Sequence, residues 1–214
     1  MTTNSPAQLA KQWLASNCVI LDSETTGLGS DAEICEFSVI DAQGTVLMDT
    51  LVKPTHPIPA DATAIHGITN EMVADAPSWS EIYQDVVTLL AGRCVVIYNA
   101  AYDTRLISQS TYRAGYKLND VITDLDAIDD SAECAMLAYA EFYGDWDEYH
   151  ENYRWQRLTN AAAQQGVVVD GKAHRALADC RMTLGVLQAM AKSAPVTSTN
   201  VLDRIAAKHA RKDA

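Results

Sequence analysis

Apolar and polar positions alternate along this chain in ways that name its elements. Cys18 to Leu21 is a continuous apolar run, and Thr25-Thr26-Gly27 breaks the chain just beyond it. Such a run, closed by turn residues, reads as a buried strand. Glu33 to Ile40 and Thr45 to Val52 are two further strand-like runs joined by Asp41-Ala42-Gln43-Gly44, the pattern of an antiparallel hairpin. Cys94 to Tyr98 is a second continuous apolar run and predicts another central strand. Val121-Ile122-Thr123 predicts a short one ending at Asp124. Helical spacing covers Leu9, Trp13 and Leu14, with Asn4 or Ser5 as cap and Pro6 in the first turn. It recurs behind Pro77-Ser78, where Trp79, Ile82, Val86, Leu89 and Leu90 share a face that ends at Gly92. Further helices are predicted over about 102–114, 133–142, 158–165 and 176–190, with a short amphipathic piece from Val201 to His209. Lys53 to Asp61, with three prolines, reads as an extended loop, and Thr69 as the cap of the turn after it. A hairpin followed by strands alternating with helices predicts an α/β domain with a mixed sheet.

On a strand, residues two apart face the same way, so Asp22 and Glu24 project together at the end of the first strand. Two carboxylates that close repel, and taking each out of water costs free energy. A divalent cation between them is one thing that makes the pair worth holding, because a hard ion takes hard oxygen ligands. Asp103 follows the second central strand by a few residues, at the sheet edge where open α/β domains bind ligands. Asp179 falls one turn into the last core helix, where an ionised acid suits the positive helix end. His174 lies five residues earlier and belongs to the loop leading into that helix, where an imidazole can act as a general base. Glu36 is a candidate fourth carboxylate, with a salt-bridged or surface glutamate as the preferred reading.

The 214 residues are enough for one domain with a proper core. No apolar run approaches a membrane span, and the first seventeen residues lack a signal-peptide pattern, so a cytoplasmic protein is expected. Five scattered cysteines without a CxxC pair predict reduced thiols. The net charge of −12 argues against broad binding to duplex DNA, which needs a basic face, but not against an end-directed enzyme whose bound cations offset its own acids.

DSETTG (Asp22 to Gly27), YNAAYD (Tyr98 to Asp103) and HRALADC (His174 to Cys180) resemble the three motifs of the DEDDh 3′–5′ exonucleases, relatives of the bacterial proofreading subunit, RNase T and oligoribonuclease. IHGIT (Ile65 to Thr69) is similar to the loop these enzymes place near the 3′-terminal nucleotide. The resemblance spans about Val19 to Met190. It implies an RNase H-like fold, with a five-stranded mixed sheet flanked by helices. A helical extension over 1–17 would precede the exonuclease domain, 18–192, and a tail over 193–214 would follow it. The resemblance also implies two Mg2+ or Mn2+ ions held by Asp22, Glu24, Asp103 and Asp179. One metal and His174 would deprotonate a water, and the other metal would stabilise the departing 3′ oxygen as a nucleoside 5′-monophosphate leaves. Tyr98 and Tyr102 depart from the family, which often carries His and Phe there.

The expected partner is the 3′ end of a single strand, DNA rather than RNA, with a homodimer or a polymerase as a further partner. Thr25, Thr26, His66 and Asn99 are the candidate substrate contacts. The plainer roles for them are turn formation, loop capping and holding their own loops. Arg154, Arg157 and Arg175 are candidate phosphate contacts. Trp146, Tyr149, Tyr153 and Trp155 read as a base-stacking platform or, preferably because acids interleave them, as a lid on the core or a dimer contact. The alternatives are an exoribonuclease on the same scaffold, a non-catalytic nuclease-like module that recruits a replication or repair partner, and a glycosidase using Asp22 and Glu24. The glycosidase leaves His174 and Asp179 without a task.

Overall fold

The structure, a computed structural model, describes residues 4–168 and 174–193. The amphipathic piece Val201–His209 lies outside the described residues. In chain order the elements are α1 (Pro6–Ala15), β1 (Val19–Thr25), β2 (Ile34–Asp41), β3 (Val46–Leu51), α2 (Ala60–His66), α3 (Trp79–Leu90), β4 (Val95–Ile97) and α4 (Ala100–Arg113). They continue with α5 (Leu118–Ser131), β5 (Ala132–Cys134), α6 (Ala135–Tyr143), β6 (Trp146–Asp147), β7 (Asn152–Tyr153), α7 (Leu158–Gln164) and α8 (Ala176–Lys192).

Five strands form one mixed sheet in the order β3-β2-β1-β4-β5. The β1–β2 and β2–β3 pairs are antiparallel, and β1–β4 and β4–β5 are parallel, so the two uninterrupted apolar runs sit side by side in the middle. Their side chains feed two cores. Val19, Leu21, Val95 and Ile97 pack under α3, α4 and α5, whereas Ile20 and Val96 pack under α1, α6, α7 and α8. Ala10 and Trp13 of α1 are buried in the second core, and α1 lies against α8. Ser5 caps α1 through a capping box closed by Gln8, and Ser78 caps α3 through one closed by Glu81.

Three sequence expectations are corrected. Val121-Ile122-Thr123 is helical: it lies within α5, where Val121, Leu125 and Ile128 are buried on one face. The β-branched pair gave the appearance of a strand, but the burial of that face against the first core outweighs propensity. The edge strand is β5, further along and only partly buried. The proline-rich loop ends early, because Ala60 to His66 forms α2, a helix too short to show periodicity, capped by Gly67 in the left-handed region at φ 79°. The aromatic segment is no lid on the core: it forms the β6–β7 hairpin with exposed rings. All five cysteines are free thiols, as expected. Among the described residues no helix is long and apolar enough to cross a membrane.

Candidate active site

β1 runs fully buried through Leu21 and then delivers Asp22 and Glu24 to the α8 side, while Ser23 and Thr25 point to the α4 side. The register slips between Glu24 and Thr25, so the strand is bulged where it leaves the ladder. Asp103 stands in the first turn of α4, buried, and Asp179 in the first turn of α8. The structure therefore brings the four acids to one edge of the sheet from three elements. Glu24, His174 and Asp179 each offer a ligand atom within 4.8 Å of the others. His174 is exposed on the segment leading into α8, with φ 63° in the left-handed region, which histidine enters more readily than most residues.

The electrostatics agree with this convergence. The Asp22 carboxyl is pushed far up, first by burial and then by repulsion from Asp103, Asp179 and Glu24. Glu24 is pushed up to about 8, first by burial and then by Asp179, Glu36 and Asp103. Burial raises Asp103, opposed by hydrogen bonds from Ser23, whose Oγ donates to Asp103 Oδ1 at 2.6 Å. Asp179 is raised by burial, opposed by the nearby His174. Burial outweighs the limited positive charge nearby, which is His174 beside Asp179 and Arg175 beside Glu24. Asp179 Oδ1 is buried with no hydrogen-bond partner among the described residues. Clustered carboxylate oxygens, one of them buried without a partner, are the hard donor set that Mg2+ and Mn2+ take, so these residues fit such ions.

Glu36 is not at the centre of this group but anchors it. Its carboxylate accepts from Arg175 Nε at 3.0 and 3.1 Å and from the Ala176 backbone N–H at 2.9 Å. A strand side chain thus caps α8 and holds the turn that carries Asp179. The salt-bridged reading of Glu36 is the observed one, and it removes Arg175 from the free phosphate contacts. Arg154 is likewise paired, with Asp147 at 3.0 Å, whereas Arg157 is exposed at the start of α7.

Three of the four candidate substrate contacts, Thr25, Thr26 and His66, hold local structure. Thr25 Oγ1 donates to Gly27 O at 2.9 Å and lies 2.7 Å from the Tyr102 hydroxyl, which also donates to Gly27 O at 2.9 Å. Thr26 Oγ1 accepts the Glu33 N–H at 3.0 Å. His66 is buried, and its Nδ1 accepts the Ile68 N–H at 3.0 Å. Burial holds its pKa below the ordinary value, which keeps the ring neutral. Asn99 is exposed at the start of α4 and makes no side-chain cap. Sequence reasoning missed Ser23, the hydroxyl bridge of Tyr102 and the Glu36–Arg175 pair. Only Ser23 carried a signal, through its place between two acids on the opposite strand face.

The chain is similar to known exonucleases. The RNase_T exonuclease family profile matches residues 19–187. The uncharacterized exonuclease CP81 of Escherichia phage 186 is 50% identical over 192 residues, 90% of this chain and 97% of that protein. Exodeoxyribonuclease 10 of Escherichia coli K12 is 42% identical over a shorter stretch of 92 residues, 42% of this chain and 40% of that protein. Exonuclease X, solved in complex with 5′-overhanging duplex DNA, superposes with a TM-score of 0.58 at 25% identity, covering 87% of this chain and 98% of that one.

Proposed function

The chain belongs to the RNase_T exonuclease family, and from that premise we propose that it is a metal-dependent 3′–5′ exonuclease that removes nucleoside 5′-monophosphates from single-stranded DNA ends. The observation that carries this reading is the gathering of Asp22, Glu24, Asp103 and Asp179 at one sheet edge, with the Asp179 oxygen left unpartnered. DNA rather than RNA is favoured because a relative is an exodeoxyribonuclease and a structural neighbour was solved with DNA.

Asp22, Glu24, Asp103 and Asp179 would hold two Mg2+ or Mn2+ ions. Such ions supply Lewis acidity and charge neutralisation at a phosphodiester. The chain's own residues do the rest. His174, beside Glu24 and Asp179, accepts the proton of the attacking water at an imidazole nitrogen. Its exposed loop lets the ring approach the water. Ser23 fixes the Asp103 carboxylate, and Glu36 with Arg175 fixes the first turn of α8. Thr25 and Tyr102 hold the loop after Glu24 against α4, so Glu24 and Asp103 keep their separation as the strand end enters.

The test uses a 5′-labelled single DNA strand and its RNA counterpart with Mg2+ or Mn2+. The DNA strand shortens stepwise, EDTA stops the reaction, and Asp22→Asn abolishes it. Internal cuts, or an Asp22→Asn protein as active as the unsubstituted one, would refute the proposal. Faster loss of the RNA strand would move the assignment to an exoribonuclease.

A further inference from the structure

The hairpin between α6 and α7 carries aromatic surface that the acidic centre does not use. Trp146 pairs across to Tyr153, and their rings meet edge to face at 5.0 Å. Trp146 is 46% exposed and Trp155 59%. Rings of this size are costly to leave in water, and clustered ones mark a contact surface.

The register fixes where this surface lies. Leu21 pairs with Ile97 across the parallel β1–β4 ladder. The next residues, Asp22 and Tyr98, therefore stand level on neighbouring strands, and side-chain alternation turns both to the α8 side. The Tyr98 hydroxyl donates to the Gln156 backbone oxygen at 2.9 Å. The segment from Trp155 to Arg157 is thus moored one tyrosine ring away from the strand beside Asp22. Charge follows the same direction. Asp147, among the rings, is taken up by Arg154 at 3.0 Å and His150 at 3.1 Å. Glu148 and Glu151 sit at the far turn, while Arg157 is exposed at the near end.

Resting on the exonuclease reading, we propose that Trp155 and the Trp146–Tyr153 pair form a stacking platform for the single strand that leads away from the cleavage site. Every base has a π face, so such a platform holds any sequence. It also lets a chain of net charge −12 grip a polyanion without a basic face. Binding of this kind falls only shallowly with salt, because few counterions are released.

The experiment measures anisotropy of a labelled thymidine strand of about 12 nucleotides, without added metal, over a salt series, alongside degradation of the same strand with Mg2+. Trp155→Ala should weaken binding by about tenfold, within the range known for loss of one stacked base, and Trp155→Phe should restore most of it. Trp146→Ala should act in the same direction. A Trp155→Ala protein that binds as tightly as the unsubstituted one overturns the platform, as does a strand that does not bind at all. So does a Trp146→Ala or Trp155→Ala protein whose only change is its sedimentation, which would assign the rings to contact with a second copy. If the unsubstituted protein binds through these rings but never shortens the strand, the platform stands and the exonuclease reading falls. If it shortens the strand and the rings do not matter, the reverse holds.

Discussion

Replacing Glu24 by Gln removes one charge from a crowded group of acids, and this should stabilise the metal-free protein while abolishing hydrolysis. The Glu24 and Asp179 ligand atoms lie within 4.8 Å. At an effective dielectric of about 20, two unit charges at that distance repel by about 3 kcal/mol. The titration gives the same size. Glu24 moves from an ordinary 4.5 to about 8, and integrating proton linkage over that interval yields about 3 kcal/mol lost at pH 7. The shift comes first from burial and only then from Asp179, Glu36 and Asp103, so the figures overlap and are not added. The new amide must itself be dehydrated, which returns about 1 kcal/mol, so the net gain is about 2 kcal/mol. That corresponds to roughly 5 °C in melting temperature for a chain of this size. The sign with pH follows from the raised value. The contribution of Glu24 to stability is full below pH 4.5 and is lost as pH rises through about 8, whereas Gln does not titrate. Scanning calorimetry in EDTA should therefore show E24Q melting higher at pH 8, with the gap closing as pH falls toward 4.5. Mg2+ or Mn2+ should raise the melting point of the unsubstituted protein more than that of E24Q. An E24Q protein that melts at or below the unsubstituted one in EDTA at pH 8 would refute the reasoning.

Other outcomes follow from named contacts. Glu36→Gln leaves the Arg175 guanidinium without its counter-charge, and should lower stability by about 2–4 kcal/mol and reduce turnover as the first turn of α8 loosens; urea unfolding and steady-state kinetics check both. Ser23→Ala removes the hydroxyl hydrogen bond that is the first to oppose the raised Asp103 titration, so the acid limb of the pH–rate profile should move to higher pH. Gly185→Ala places a Cβ about 2.5 Å from Val167 Cγ1; crowding of about 1–3 kcal/mol against a helix-propensity gain of about 1 kcal/mol predicts a small net loss, and a more stable variant in urea would contradict it.

The central sheet was legible because its physics is local. Uninterrupted apolar runs at Cys18–Leu21 and Cys94–Tyr98 could only be buried strands, and the period of two alone put Asp22 and Glu24 on one face. The spacing of His174 from Asp179 likewise placed one on a loop and the other on a helix. What the sequence hid depends on distant partners. Val121 and Ile122 look β-like until the face they share with Leu125 is seen packed under the sheet. α2 is too short to show a period. The role of Glu36 as a cap for α8 joins residues far apart in the chain, and no local pattern encodes it. The aromatic hairpin was hidden as well: rings interleaved with acids suit a lid on the core or a dimer contact, and only the folded segment exposes them.

The last helix described, α8, is the one that lies against α1 and supplies Asp179. During synthesis the ribosome releases β1 with its two acids long before the partner on α8 exists. Until α8 emerges and docks, a nascent or truncated copy has no complete set of acids, however well its strands have paired. Proteolysis that clips α8 would likewise take Asp179 away from the other three acids at a single stroke.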